Sequence, residues 1–186
     1  MLPWGHAAFG YLLYHLYTAR TGRRPAGSAV LALAVGTQFP DLVDKPLAWT
    51  LGVLPSGRSL GHSLLTLAVL CGVLFVLFSP SKRRAVVAFT IGYASHIVGD
   101  GVAPLVAGDF TQLLYVLWPV TAAPLSDDGM TFLAFFTSLE GSAWVLFGIG
   151  LTVVGVVVWA RDGYPGVRDL LRPVLTGRTE DSELDT

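Results

Sequence analysis

His96 and Asp100, in Tyr93-Ala-Ser-His-Ile-Val-Gly-Asp-Gly101, are four residues apart, which puts an imidazole above a carboxylate on one helix face. The surrounding segment is apolar and long enough to cross a bilayer. An ionisable pair there costs several kcal/mol unless it is paired, wetted or bound to a metal. Four more residues of the same chemistry stand in or beside other apolar segments: His6, Asp41, Asp44 and His62. Neutral imidazole and carboxylate are ligands for zinc first, with manganese and iron as alternatives, and six such groups suffice for one or two ions. A bound ion brings the pKa of its water to about 7 and polarises a carbonyl or phosphoryl oxygen. The reaction class is therefore hydrolysis of an ester or phosphoester, with Asp41 or Asp44 available as general base.

The elements that must position these groups are membrane helices. Apolar residues make up 53% of the chain and charged ones 13%, and the mean hydropathy is strongly positive. Segments 60–78, 85–107 and 142–160 approach the length of about 20 residues that a spanning helix needs. Segments 5–19 and 27–39 are shorter and rise roughly 20–22 Å as helices. Segment 110–120 is interrupted by Pro119 and reads as interfacial or re-entrant. Basic residues cluster after the first, third and fifth segments, at Arg20, Arg23, Arg24, then Lys82, Arg83, Arg84, then Arg161 and Arg168. The positive-inside rule then predicts an all-α, multi-pass cell-membrane protein of about five spans, N-terminus outside and C-terminus cytoplasmic. That topology brings His6, Asp41, Asp44, His62, His96 and Asp100 to the extracytoplasmic half, although none of them was used to orient it.

Each candidate also has a structural reading. His6 could be an interfacial histidine, Asp41 a helix cap after Pro40, and Asp44 the ion-pair partner of Lys45. His62 could belong to a cap region with Ser63, and His96 and Asp100 could satisfy each other. His15 follows His6 by nine residues and so points to the opposite face, among Tyr11, Tyr14 and Tyr17, as part of an aromatic belt. Ser63 and Ser95 lack a nucleophile-elbow motif. Asp127, Asp128 and Glu140 read as a solvated acidic loop, with a ligand or base role as the alternative. The lone cysteine, Cys71, excludes an intramolecular disulfide. Membrane lipids are the expected partners. No basic patch with interleaved aromatics points to nucleic acid, and nothing in the sequence sets an oligomeric state. Residues 1–172 read as one membrane domain and 173–186 as a polar, disordered cytoplasmic tail, with no signal peptide expected.

Taken in order, Gly5-His6, Phe39-Pro-Asp-Leu-Val-Asp44, Arg58-Ser-Leu-Gly-His-Ser-Leu-Leu65 and His96-Ile-Val-Gly-Asp100 resemble the LexA-regulated, membrane-bound metal-dependent hydrolase family. The resemblance implies a multi-pass protein with His6, Asp41, Asp44, His62, His96 and Asp100 as metal ligands. A more distant likeness joins the preceding Asp and His and the His-x-x-x-Asp helix to the zinc-dependent phospholipase C and P1 nuclease enzymes. The chain departs from them in having Trp4 internal, no histidine after His96, and two aspartates where one is expected. One or two metals fit better than three. The rival readings are an ion- or proton-translocating protein using His96 and Asp100, and a non-catalytic membrane scaffold.

Overall fold

A computed structural model describes residues 1–123, 131, 133–134 and 143–171, and their regular structure is entirely helical. Helix α1 is Pro3–Arg20, α2 Gly27–Lys45, α3 Leu64–Leu77, α4 Arg83–Ala107 and α5 Ala143–Arg161. A π-helical turn, Pro46–Thr50, continues α2, and a 3-10 turn, Pro80–Lys82, leads into α4. A second 3-10 segment, Phe110–Leu117, follows α4. Asp127, Asp128, Glu140 and the expected tail 173–186 lie outside the described residues.

The helix ends have local causes. Pro3 opens α1, where its missing N–H and fixed φ suit a first turn. Ser63 caps α3, its hydroxyl accepting the Leu65 N–H at 3.1 Å, so the helix begins at Leu64 rather than at residue 60. Helix α4 stops at Gly108, whose φ of 71° is left-handed backbone that glycine adopts without strain. Helix α2 runs on past the expected end at residue 39. Pro40 lies inside it and is buried, so Asp41 and Asp44 project from a helix rather than a loop. A proline in a helix interior costs about 3 kcal/mol; Asp44, one turn later, anchors the continued helix through hydrogen bonds to Ser59, Gly61 and His62.

Two segments, Pro80–Ala107 and Ala143–Arg161, are long and apolar enough to cross a membrane, and Leu64–Leu77 is a shorter apolar helix. Helix α3 buries only Cys71, and α5 only Gly148 and Gly155. Their outer faces, including Val69, Val76, Leu146 and Val153, remain exposed apolar surface suited to lipid tails.

Helices α2 and α4 form the centre through facing glycines. A Cβ on Gly36 would clash with the Phe89 carbonyl oxygen, and one on Gly92 with the Leu33 carbonyl oxygen. Small residues at a crossing let two helices approach backbone to backbone. Apolar packing follows on both sides. Tyr11, Tyr14, Ala29, Val30, Leu33 and Ala88 form one cluster, and Cys71, Tyr93, Ile97 and Tyr115 a second. One turn beyond the glycines, the same two helices present the polar residues.

Candidate metal centre

All six residues singled out in the sequence meet in one cluster. Helix α1 supplies His6; α2 supplies Asp41 and Asp44; the loop ahead of α3 supplies His62; α4 supplies His96 and Asp100. His6, Asp44, His62 and His96 are fully buried, and Asp100 is nearly so.

The donor atoms have the spacing of a coordination shell. His62 Nε2 lies 3.2 Å from His96 Nε2, and each is 3.6 Å from Asp41 Oδ1. Ligands about 2.0–2.1 Å from a tetrahedral ion stand roughly 3.3–3.4 Å from one another. Asp100 Oδ2 is likewise 3.6 Å from His62 Nε2. His6, His96 and Asp100 form a second such group, again with ligand atoms within 4.8 Å. The His6 ring stacks on His96 with centroids 3.8 Å apart. Its Nε2 approaches Asp100 Oδ1 at 3.1 Å, yet neither ring nitrogen makes a hydrogen bond among the described residues. A buried imidazole without such a partner, beside a carboxylate and a second imidazole, fits a metal ligand.

The groups behind these donors fix their orientation. His96 Nδ1 bonds the Thr37 carbonyl at 2.6 Å, so Nδ1 carries the proton and Nε2 offers its lone pair to the cluster. Asp44 does the corresponding work for His62, its Oδ2 lying 2.8 Å from Nδ1. The same carboxylate accepts N–H groups from Ser59 at 2.7 Å, Gly61 at 2.6 Å and His62 at 3.2 Å. Gly61 is required here, because its Cβ would stand 2.9 Å from the Pro40 carbonyl oxygen. Tyr115 is buried edge-on against the His62 ring, its hydroxyl donating to the Ile97 carbonyl.

Asp100 also collects two cations, one on each oxygen. Arg58 Nε donates to Oδ2 at 3.0 Å, and the Met1 amino group stands 2.8 Å from Oδ1. Arg58 is 37% exposed at its side chain, so the guanidinium lies between the buried cluster and the outside. Outside the helices, His62 is held as a cation: burial lowers its pKa, but hydrogen bonds to Asp100, Asp41 and Asp44 outweigh this and raise it to about 10.

The alternative roles resolve individually. Lys45 pairs with Asp41, at 2.6 Å, rather than with adjacent Asp44, because four residues span one helical turn. His96 and Asp100 each have partners on other elements. The Ser63 and Ser95 hydroxyls donate to the carbonyls of Trp118 and Gly92. His15 lies away from the cluster, its Nδ1 2.7 Å from Asp162 Oδ2, which also accepts the Tyr11 hydroxyl. That latch between α1 and the turn after α5 escaped the sequence reading, as did the roles of Arg58, Thr37 and Tyr115. For Arg58 the signal was present, four residues before His62 in the same motif.

No curated protein and no solved structure matches the chain. Residues 1–165 match the family described as YdjM inner membrane protein, in keeping with the resemblance to a LexA-regulated membrane protein. With a match that spans the five helices and every residue of the cluster, the chain belongs to the YdjM inner membrane protein family.

Proposed function

We propose that the chain is a membrane-bound, metal-dependent hydrolase acting on an ester or phosphoester, with a lipid as the favoured substrate. The observation that carries this reading is the convergence of three imidazoles and two carboxylates at ligand spacing in an apolar bundle. Zinc is the favoured ion, by the nitrogen-rich donor set. One ion per chain is the favoured count. The two ligand groups share His96, and its Nδ1 is already committed to Thr37, leaving a single nitrogen to coordinate. We also favour the five-span topology, with the N-terminus and the cluster outside and the C-terminus cytoplasmic, on the distribution of arginines.

His6, His62, His96 and Asp100 would hold the ion, which would supply acidity to water and polarise the scissile group. The remaining steps fall to the chain. Asp41 keeps Oδ1 within 3.6 Å of two imidazoles while Lys45 holds Oδ2, so Oδ1 is placed to take the water's proton. Asp44 orients His62 and is occupied by its donors, which removes it from the choice of base. Arg58, partly exposed beside Asp100, suits a phosphoryl oxygen, for which a guanidinium provides paired donors.

Translocation is less favoured, because the residues packed on the far side of the polar cluster, Tyr11, Ala29, Val30, Leu33 and Ala88, are apolar or aromatic. Elemental analysis of the purified protein beside His96→Ala and Asp100→Ala tests the site, followed by phosphomonoester and phosphodiester turnover. Near-stoichiometric metal lost in both variants, with metal-dependent turnover, is the expected result. Metal without turnover of any ester leaves the scaffold reading. A wild type that takes up no zinc, manganese or iron overturns the proposal.

A further inference from the structure

The ends of α1 and α4 remote from the metal centre carry a second polar feature of opposite charge. Arg23, Arg24, Arg83 and Arg84 line a cavity of about 240 Å³ together with Tyr14 and Tyr17. Arg84 is 12 residues before His96 on α4, about 18 Å along the helix. Among the described residues, none of the four arginines is paired with a carboxylate. Arg83 and Arg84 also occupy the first turn of α4, where the helix dipole is positive and disfavours cations. Among the described residues, no anion balances this arrangement.

The adjoining surface says what kind of anion. The basic cavity shares Arg84 and Ala26 with a groove of about 750 Å³ between α2, α3 and α4. Its walls are apolar, built from Phe39, Leu70, Leu74 and Phe89, and Lys82 stands at its arginine end. From Ala26 to Phe39 along α2 is about 20 Å, longer than the half-bilayer of about 15 Å that one acyl chain covers. A free phosphate would use only the cavity; a neutral chain would use only the groove.

We infer that this composite site binds one anionic phospholipid, its phosphate on the arginines at the start of α4 and an acyl chain in the α2–α3–α4 groove. The guanidinium groups bind the phosphodiester through paired donors, and the groove excludes lipids without a negative headgroup only through loss of that attraction. The inference is independent of the metal centre.

Native mass spectrometry of the detergent-purified full chain tests it, with dioleoylphosphatidylglycerol and dioleoylphosphatidylcholine as probes. One phosphatidylglycerol retained about tenfold more tightly than phosphatidylcholine is expected. Arg23→Gln with Arg84→Gln should abolish the preference. Ala32→Trp, which fills the groove and leaves the arginines intact, should weaken retention. Arg161→Gln with Arg168→Gln is the matched charge control and should change nothing. Equal retention of both lipids, or equal losses in the control, overturns the inference in favour of diffuse surface charge. Displacement by inorganic phosphate at comparable concentration overturns it in favour of a free-anion site. All three variants should keep the wild-type melting temperature, since the arginines are exposed and Ala32 is only partly buried.

Discussion

The chain contains two histidine–aspartate pairs of nearly identical geometry and different meaning. His62 Nδ1 lies 2.8 Å from Asp44, and His15 Nδ1 lies 2.7 Å from Asp162. The first pair is fully buried; in the second, the histidine side chain is 35% exposed. What separates them is the other imidazole nitrogen. His62 Nε2 faces His96, Asp41 and Asp100, whereas His15 joins no group of three ligand side chains among the described residues. The pair distance is therefore uninformative about role, and the surroundings decide it. At one end of α1 the motif orients a candidate ligand; at the other it fastens α1 to the end of α5.

Breaking the buried pair should have the largest effect. Asp44→Asn leaves three backbone N–H groups and an imidazole with a weakened acceptor in a buried site. A stability loss of about 3–5 kcal/mol is expected, read by thermal melting in detergent, together with loss of bound metal by elemental analysis. A variant that keeps its metal would mean that Asp44 does not orient His62. Gly92→Ala comes next. Its methyl meets the α2 backbone at Leu33, so about 1–3 kcal/mol of stability is lost by overpacking. Zinc affinity should fall about tenfold or more as α2 and α4 separate, measured by competition with a chelating dye.

The same contrast can be sharpened by pH. His62 has its pKa raised to about 10 from 6.5, so its protonated form stabilises the metal-free fold fully below pH 6.5. That contribution is lost as pH rises through about 10. Metal must replace this proton, so zinc affinity should rise by about tenfold per pH unit between pH 6.5 and 8. Calorimetry in buffers of different ionisation enthalpy should count about one proton released per ion; a value near zero would show His62 is not a ligand. The smallest effect belongs to the exposed pair. Asp162→Asn should lower stability by about 1 kcal/mol or less and leave metal content unchanged. A loss of metal in that variant would erase the distinction between the two ends.

The candidate ligands were legible because their chemistry is conspicuous in apolar sequence and because one spacing, that of His96 and Asp100, is a helix rule. Their partners were less so. The carbonyl of Thr37 carries no side-chain signal, and Asp44 reveals its role only once the loop from Ser56 to His62 is folded around it. Pro40 suggested a helix end, yet α2 continues through it, because tertiary hydrogen bonds override a local preference. The apolar segments were also readable, but two of the five helices pass on length and hydropathy alone. Helices α1 and α2, which carry His6, Asp41 and Asp44, do not pass that test.

Asp44 has one further consequence. Its donors are chiefly backbone amides, available as soon as the chain is inserted, and not a metal ion that must first be delivered. The loop bearing His62 can therefore reach its final shape beforehand, unlike small zinc domains in which metallation and folding are one event. Under the proposed function, assembly and activation are separate stages, and ion supply would set when a protein already stored in the membrane works.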